Sequence, residues 1–583
     1  MELEVIEPEK KTLPFEDEPL ISFIVPVHAG NLDKAILKRC LMSLDDQDYQ
    51  NREIVIVLNG GEDQGLEETA QFFVDKDSRF RLIKSSESGA CNARNLGFEN
   101  SKGDIVSFFN SDYKLKPGMA RFWVDSLVEN PECGFAYGGY EYATAPSVCY
   151  GSRPFNPFLL GVFNFIDCGF PLWRKYVVKW DPEVKSLQDW DFWLRVIKTH
   201  NVKGHFIERE LAFIAEPPRK NGLSHDSSNN WIDRVKFVKQ KNGIPLSDLL
   251  VTSIGAEFHG IEMAKMLKAD FRDMTTIHKP NEYKALYMVG FYMRPDVPGN
   301  DHPRVLASFP ETVKKIIHFV GADIYWLRKF PFDAMKILAG VMKIGAHHIL
   351  CENEAAQKEL AGYGITAEIV PIPPYNDYEF RALPETFHVG LYLTDKSDFD
   401  KYLQAYTLSI VRAMPDVQFS GYGDGARDFH ASNFKHFGNM ETAKYREFVY
   451  NQSALLRVVR HDTLPMAACD FFLAGRSVVS NIPMPYGHLI DTKGTDPLTD
   501  WDMFSPGFSP ARWPDTKKAI VQTLRNVRDT VDAVDAPIVT ASNPFDTRSI
   551  RMLARDHWAK VLDRKEYISK IYRMAGLTGV ERA

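Results

Sequence analysis

Short apolar runs alternating with helical segments constrain this chain most. Residues 21–27 (ISFIVPV), 53–58 (EIVIVL), 81–84 (RLIK) and 104–109 (DIVSFF) are short, mostly apolar and rich in β-branched residues. Between them, residues 35–44, 66–74 and 90–100 carry helical patterns. Near-continuous apolar strands are those buried on both faces, and strand–helix alternation predicts an α/β fold with a parallel sheet. Ligands on such sheets bind outside the carboxyl ends of the strands. Two runs end there in polar breaks, Asn59-Gly60-Gly61 and Asn110-Ser111-Asp112. Functional groups are expected at both.

The chain has 583 residues, so about four domain-sized units are a fair prior. Hydrophobic residues at 44% and charged residues at 25% exclude a disordered tail, a collagen and a coiled coil. The net charge of −7 gives no global reason to bind nucleic acid or an anionic membrane. The seven cysteines show no Cys-x-x-Cys pair or zinc spacing, which suits reduced thiols in the cytoplasm. Residues 1–11 lack an apolar signal core. Asn164 and Asp167 interrupt the richest apolar stretch, 159–173, and nothing reaches the ~18–20 residues of a membrane helix. A cytoplasmic protein is expected; peripheral membrane contact and a virus-infected host cell stay open.

The composition changes at residues 217–222 and again at 241–245. The strand–helix rhythm then restarts, with strands expected at 249–254, 316–320 and 348–350. Residues 370–375 (VPIPPY) read as an extended linker, and 388–393 opens another series. Residues 547–574 read as helical, crossing back over the preceding lobes. The expected division is 1–243, 244–380 and 381–583.

Five ordered motifs in residues 20–230 resemble the family-two glycosyltransferases of GT-A fold. They are Ser22-Phe-Ile-Val-Pro-Val-His28, Glu53 through Gly61, Gly89-Ala-Cys-Asn-Ala-Arg-Asn-Leu-Gly97, Gly103 through Asp112, and Gln188-Asp-Trp-Asp-Phe-Trp-Leu-Arg195. The resemblance implies a nucleotide-sugar donor such as a UDP-sugar, and a divalent cation, Mn²⁺ or Mg²⁺, on its diphosphate. It places Pro26, His28, Asn59, Arg94, Asn95, Asn110, Ser111 and Asp112 on the donor side. Asp112, Asn110 and His225 become the candidate metal ligands. Asn59 and Asn110 stand where the family usually has Asp, and Gln188 where it usually has Glu. Asp189 is the expected catalytic base, with Gln188, Trp190 and Asp191 toward the acceptor. A competing reading makes Ser186-Leu-Gln-Asp189 a capping box. Trp190, Trp193, Leu194 and Ile197 form the apolar face expected to pin that helix.

Residues 246–583 resemble, more loosely, a GT-B glycosyltransferase of two Rossmann-like lobes. The likeness rests on 388–393, on Met414 through Gly423, and on 470–479. It implies a second donor site at His259, Arg457, Arg460, Asp462 and Asp470. Asp462 and Asp470 stand at the step of that fold's paired glutamates. The expected function is a tandem glycosyltransferase acting on a glycan, lipid-linked or modified-nucleobase acceptor, with an inverting, metal-dependent first half. Two alternatives are a GT-A enzyme with a non-catalytic GT-B-like binding domain, and a phage-type DNA-base glycosyltransferase. The sequence carries no clear nucleic-acid signature.

Overall fold

A computed structural model describes residues 18–29, 32–143, 145–151, 153–215, 231–253, 257–272, 283–291, 309–329, 345–394, 403–425, 429–440, 442–459, 462–490, 513–532 and 547–577. The chain divides into two units, Met1–Leu246 and Ser247–Ala583.

The first unit is built on one mixed, nine-stranded sheet. Its strands are β1 (Ile21–His28), β2 (Arg52–Asn59), β3 (Phe80–Lys84), β4 (Ile105–Ser107), β5 (Tyr113–Leu115), β6 (Cys133–Tyr142), β7 (Ala145–Tyr150), β8 (Leu172–Trp173) and β9 (Lys203–Ala215). The order is β3-β2-β1-β4-β8-β6-β9-β5, with β7 on β6. β1 to β4 run parallel, as the apolar runs predict, and β8 enters antiparallel between β4 and β6. The run 104–109 is a ladder strand only over Ile105–Ser107, because Phe108 and Phe109 leave the ladder for the aromatic core. There Phe108 packs edge-on against Trp180 and Phe192, which stack on each other at 4.2 Å. Pro26 lies past the three β1 positions that pair with β4, where a missing N–H is tolerated.

Glycine lets the helix Ala90–Glu99 lie close on the sheet. A Cβ on Gly97 would come within 2.4 Å of Ile24 Cγ2 and 3.1 Å of Val57 Cγ2. The approach fixes the helix start at the carboxyl edge of β1 and β2.

The second unit holds two all-parallel sheets of six strands. The first contains β10 (Leu249–Ser253), β11 (Asp270–Phe271), β12 (Ala285–Val289), β13 (Lys314–Phe319), β14 (His348–Cys351) and β15 (Glu368–Ile369). The second contains β16 (His388–Tyr392), β17 (Gln418–Tyr422), β18 (Phe434–His436), β19 (Ala454–Arg457), β20 (Ser477–Ser480) and β21 (His488–Leu489). Each has its own hydrophobic core. Residues 370–375 carry no regular structure. The helical stretch 547–574 is two helices. Thr547–Val561 packs Ala554 and Trp558 onto the second lobe. Arg564–Met574 returns to the first, where Tyr567 donates or accepts with Tyr287 at 2.6 Å and Tyr572 reaches the Leu267 carbonyl. Among the described residues no helix is long and apolar enough to cross a membrane, and Cys40, Cys91, Cys133, Cys168, Cys351 and Cys469 are free and buried.

Candidate active site

The polar ends of β1 and β2 meet in register, His28 beside Asn59. Gly60, at φ +84°, packs its backbone against the His28 ring, where a Cβ would fall 2.5 Å from Nε2. The Asn59 amide is committed to backbone: its Nδ2 donates to the Val27 carbonyl at 3.1 Å, and its Oδ1 accepts from Gly89 N–H at 3.2 Å. That bond joins the end of β2 to the start of the helix Ala90–Glu99. Gly89 itself, at φ +111°, leaves this helix without a side-chain cap. The Asn95 amide is likewise committed to backbone: it exchanges two hydrogen bonds with Trp180 at 2.9 and 2.8 Å.

Arg94 is buried at 7% exposure. Its guanidinium donates to Gln188 Oε1 and to Asn110 Oδ1, both at 3.0 Å, approaches Cys168 Sγ at 3.7 Å and stacks over Trp180. The structure thus brings Arg94, Asn110 and Gln188 together. Ser111 and Asp112 follow Asn110 in a half-exposed turn, closed by Tyr113 N–H on the Asn110 carbonyl at 3.0 Å.

Asp189 lies in the first turn of the helix Gln188–His200. Asp189 does not cap it. The helix begins one residue after Leu187, whose φ is +58°, and Ser186 Oγ is buried without a partner, so no capping box forms. Trp190, Phe192, Trp193 and Val196 are buried and pin the helix, each worth roughly 1.5–3 kcal/mol on burial; Leu194 and Ile197 are only half-buried. Trp190 is a core residue donating from Nε1 to the Leu160 carbonyl. Asp191 is fully buried and accepts from Arg195 Nε at 2.8 Å, Lys241 Nζ at 2.7 Å and Asn242 Nδ2 at 2.9 Å, tying the helix to Trp231–Lys241. Its carboxylate is a structural anchor facing away from solvent.

Asp189 is half-buried, and its Oδ2 accepts from Asn164 Nδ2 at 2.8 Å. Burial raises its pKa from the ordinary aspartate value, opposed by the Trp190 N–H and the Arg94 charge. Asp167 stands nearby, held up at about 6 by burial and by Asp189, while it accepts from Tyr113 OH at 2.6 Å and from Gly169 N–H at 2.8 Å. Asn164, Asp167 and Cys168 were not singled out as site residues from the sequence. The available signal was polar residues set inside an apolar run, which must find partners when buried.

Residues 22–157 match the family model described as Glycosyl transferase family 2. The N-terminal unit carries a family 2 glycosyltransferase domain. An uncharacterized glycosyltransferase of Rickettsia felis is 26% identical over 257 residues, 40% of this chain and 40% of that protein. One of Haemophilus influenzae is 35% identical over 95 residues, 16% of this chain and 36% of that protein. A crystal structure of S. aureus TarS 1-349 in complex with UDP-GlcNAc overlays 38% of this chain and 65% of that one, at 14% identity and a TM-score of 0.32. The chain spans only 28% to 40% of the length of the first relatives.

Not every expected metal ligand suits a cation in the family 2 domain. Asn110 Oδ1 already accepts from Arg94 and Cys168. His225 lies outside the described residues. Among the described residues no three His, Cys, Asp or Glu side chains group as a metal site. A Mg²⁺-type ion needs only one or two carboxylates when substrate phosphates supply the rest, and the half-exposed Asp112 is a carboxylate of that kind.

Outside the family 2 domain, the second unit joins its sheets at their carboxyl ends. Glu352, just after β14, is buried and accepts from Thr463 Oγ and from Leu464 N–H, beyond β19. Burial pushes its pKa up to about 8. Asn353 Nδ2 donates to the Thr463 carbonyl at 2.7 Å. Arg457 and Asp462 form a buried ion pair at 2.6 Å. Asp470 is buried beside Tyr378 and Tyr445, with burial raising its pKa to about 7 against their hydroxyls. His259 receives the Tyr375 hydroxyl on its carbonyl at 3.1 Å. Arg460 lies outside the described residues.

Proposed function

We propose that the N-terminal unit transfers a sugar from a nucleoside diphosphate donor, such as a UDP-sugar, to an acceptor hydroxyl with inversion. The observation that carries this is Asp189. It is a half-buried carboxylate on a pinned helix, oriented by Asn164, in the unit that carries the family 2 domain. An ionised carboxylate so held removes the acceptor proton as the hydroxyl oxygen attacks the anomeric carbon. The new carbon–oxygen bond forms as the bond to the diphosphate breaks, and the proton ends on Asp189. One displacement with one base inverts the anomeric centre. The donor side is read as His28, Ser111 and Asp112, with the uncapped start of Ala90–Glu99 offering N–H groups to the diphosphate. A divalent cation, when bound, would offset charge on the departing diphosphate, and Asp112 would hold it.

Residues 244–380 and 381–583 are read as paired Rossmann-like lobes of GT-B type that bind rather than transfer. Arg457 is already paired with Asp462, and Asp470 is sealed among tyrosines, which supports the binding role. The acceptor is read as a glycan or lipid-linked glycan.

The test is nucleotide release from a panel of UDP- and GDP-sugars by the full chain and by its Asp189→Asn and Asp462→Asn variants. Loss of turnover in the first variant only is the expected result. Full turnover by Asp189→Asn would overturn the assignment of the base.

A further inference from the structure

Arg94 is a buried charged group that this transfer scheme does not use. Its guanidinium makes hydrogen bonds to two neutral amides and a thiol, and none of these partners is a carboxylate. Nε is buried without a partner. A buried cation held this way is expensive, because burial disfavours charge unless something compensates it. Its two bonded amides belong to different parts of the site. Asn110 opens the polar turn after β4 that carries Asp112. Gln188 is the first residue of the helix whose second residue is Asp189. Trp180, on which Arg94 stacks at 4.4 Å, is fixed by Asn95 one position along the same helix. This leaves Arg94 little freedom to reach a donor.

We propose that Arg94 is a positioning residue that spans from Asn110 at the donor-side turn to Gln188 at the head of the Asp189 helix, instead of binding the donor phosphate. The bridge fixes where the base stands relative to the donor-side turn. Its charge also acts on the base. The titratable groups that register Asp189 are Arg94 from helix Ala90–Glu99, Asp167 and Cys168 from the segment before β8, and Tyr140 from β6. Of these, Arg94 is the cation. It opposes the upward push of burial, so it favours the ionised form that accepts a proton. Planar bidentate geometry suits arginine to this task, since lysine offers a point charge without the fork.

The inference rests on Asp189 as base, and the experiment separates the two. Nucleotide release is measured against pH for the wild type and for Arg94→Gln, Arg94→Lys and Gln188→Ala, with UDP and GDP affinity measured alongside. Arg94→Gln should lower kcat at least tenfold, leave nucleotide affinity within about threefold, and move the acidic limb of the kcat profile to higher pH. Arg94→Lys should restore that limb while recovering only part of kcat. Gln188→Ala should lower kcat without moving the limb. A tenfold loss of nucleotide affinity in Arg94→Gln with kcat retained would make Arg94 a donor ligand and overturn the proposal. An unmoved limb with unchanged kcat would overturn it too. If Arg94→Gln does not fold, the Lys and Ala variants decide: wild-type kcat in both refutes the bridge. Should Asp189→Asn keep full turnover, it is the base assignment that fails, whatever Arg94 does.

Discussion

Asp189 and Asp191 stand two residues apart in one helical turn, yet their environments demand opposite consequences on substitution. Asp191 is fully buried and compensates Arg195, Lys241 and Asn242. Asp191→Ala strips an acceptor from all three and leaves two cations without their buried partner. Removing one side of a buried pair costs about 3–5 kcal/mol. For a unit of this size each kcal/mol is worth ~2–4 °C, so the first unit should melt roughly 6–20 °C lower. Asp189 is half-buried, and Asn would keep an oxygen to accept from Asn164 or the Trp190 N–H, so Asp189→Asn should cost no more than about 1 kcal/mol while removing the proposed base. The assay pairs a thermal melt with nucleotide release at a temperature where every variant is folded. Asp191→Ala should lose stability and keep turnover per folded molecule within a few fold. The reasoning is refuted if Asp191→Ala melts with the wild type and instead raises the KM for acceptor. That result would return Asp191 to the acceptor side that the family resemblance implies.

Glu352 holds a proton in the folded second unit that the unfolded chain releases between the ordinary glutamate value of 4.5 and about 8. Its contribution is therefore intact below pH 4.5 and lost as pH rises through about 8; Glu352→Gln should flatten that fall in urea melts, and an unchanged pH slope would contradict it. Gly97→Ala should destabilise the first unit by ~1–3 kcal/mol, because Ile24 and Val57 are packed against the missing Cβ; a neutral effect in denaturant titration would show that the helix shifts freely. Asp112→Ala should abolish any Mn²⁺ or Mg²⁺ stimulation of UDP binding. Equal stimulation in wild type and variant, read by calorimetry with and without EDTA, would exclude Asp112 as a ligand.

The parallel strands were legible because strands buried on both faces read as apolar runs. What the pattern overran was the end of β4, since buried extended chain and ladder strand share one periodicity. The site was legible as residue types and less so as roles. Asn59, Asn95 and Trp190 lie in the expected motifs, yet their polar atoms serve backbone groups. No spacing rule reveals whether an amide faces a ligand or a neighbouring loop. Asn164 and Asp167 were visible as interruptions of an apolar run. Their connection to Asp189 and Tyr113 depends on a turn of chain without periodicity. The eight-residue step from Asp462 to Asp470 suggested a working pair, but packing divides it: one carboxylate neutralises Arg457 and the other is enclosed by tyrosines.

The two helices after residue 546 set an order on how the second unit is built. Thr547–Val561 rests on the later lobe, whereas Arg564–Met574 supplies the Tyr567 hydroxyl that meets Tyr287 and, through it, His318 in the earlier lobe. The buried Tyr287 hydroxyl therefore gains its second partner from a residue 280 positions later in the chain, a contact of very high sequence separation and slow closure. During synthesis the earlier lobe leaves the ribosome before the helix that packs on Tyr287 has been made. It is finished only when the helix arrives, so the two lobes mature together although one is made well before the other.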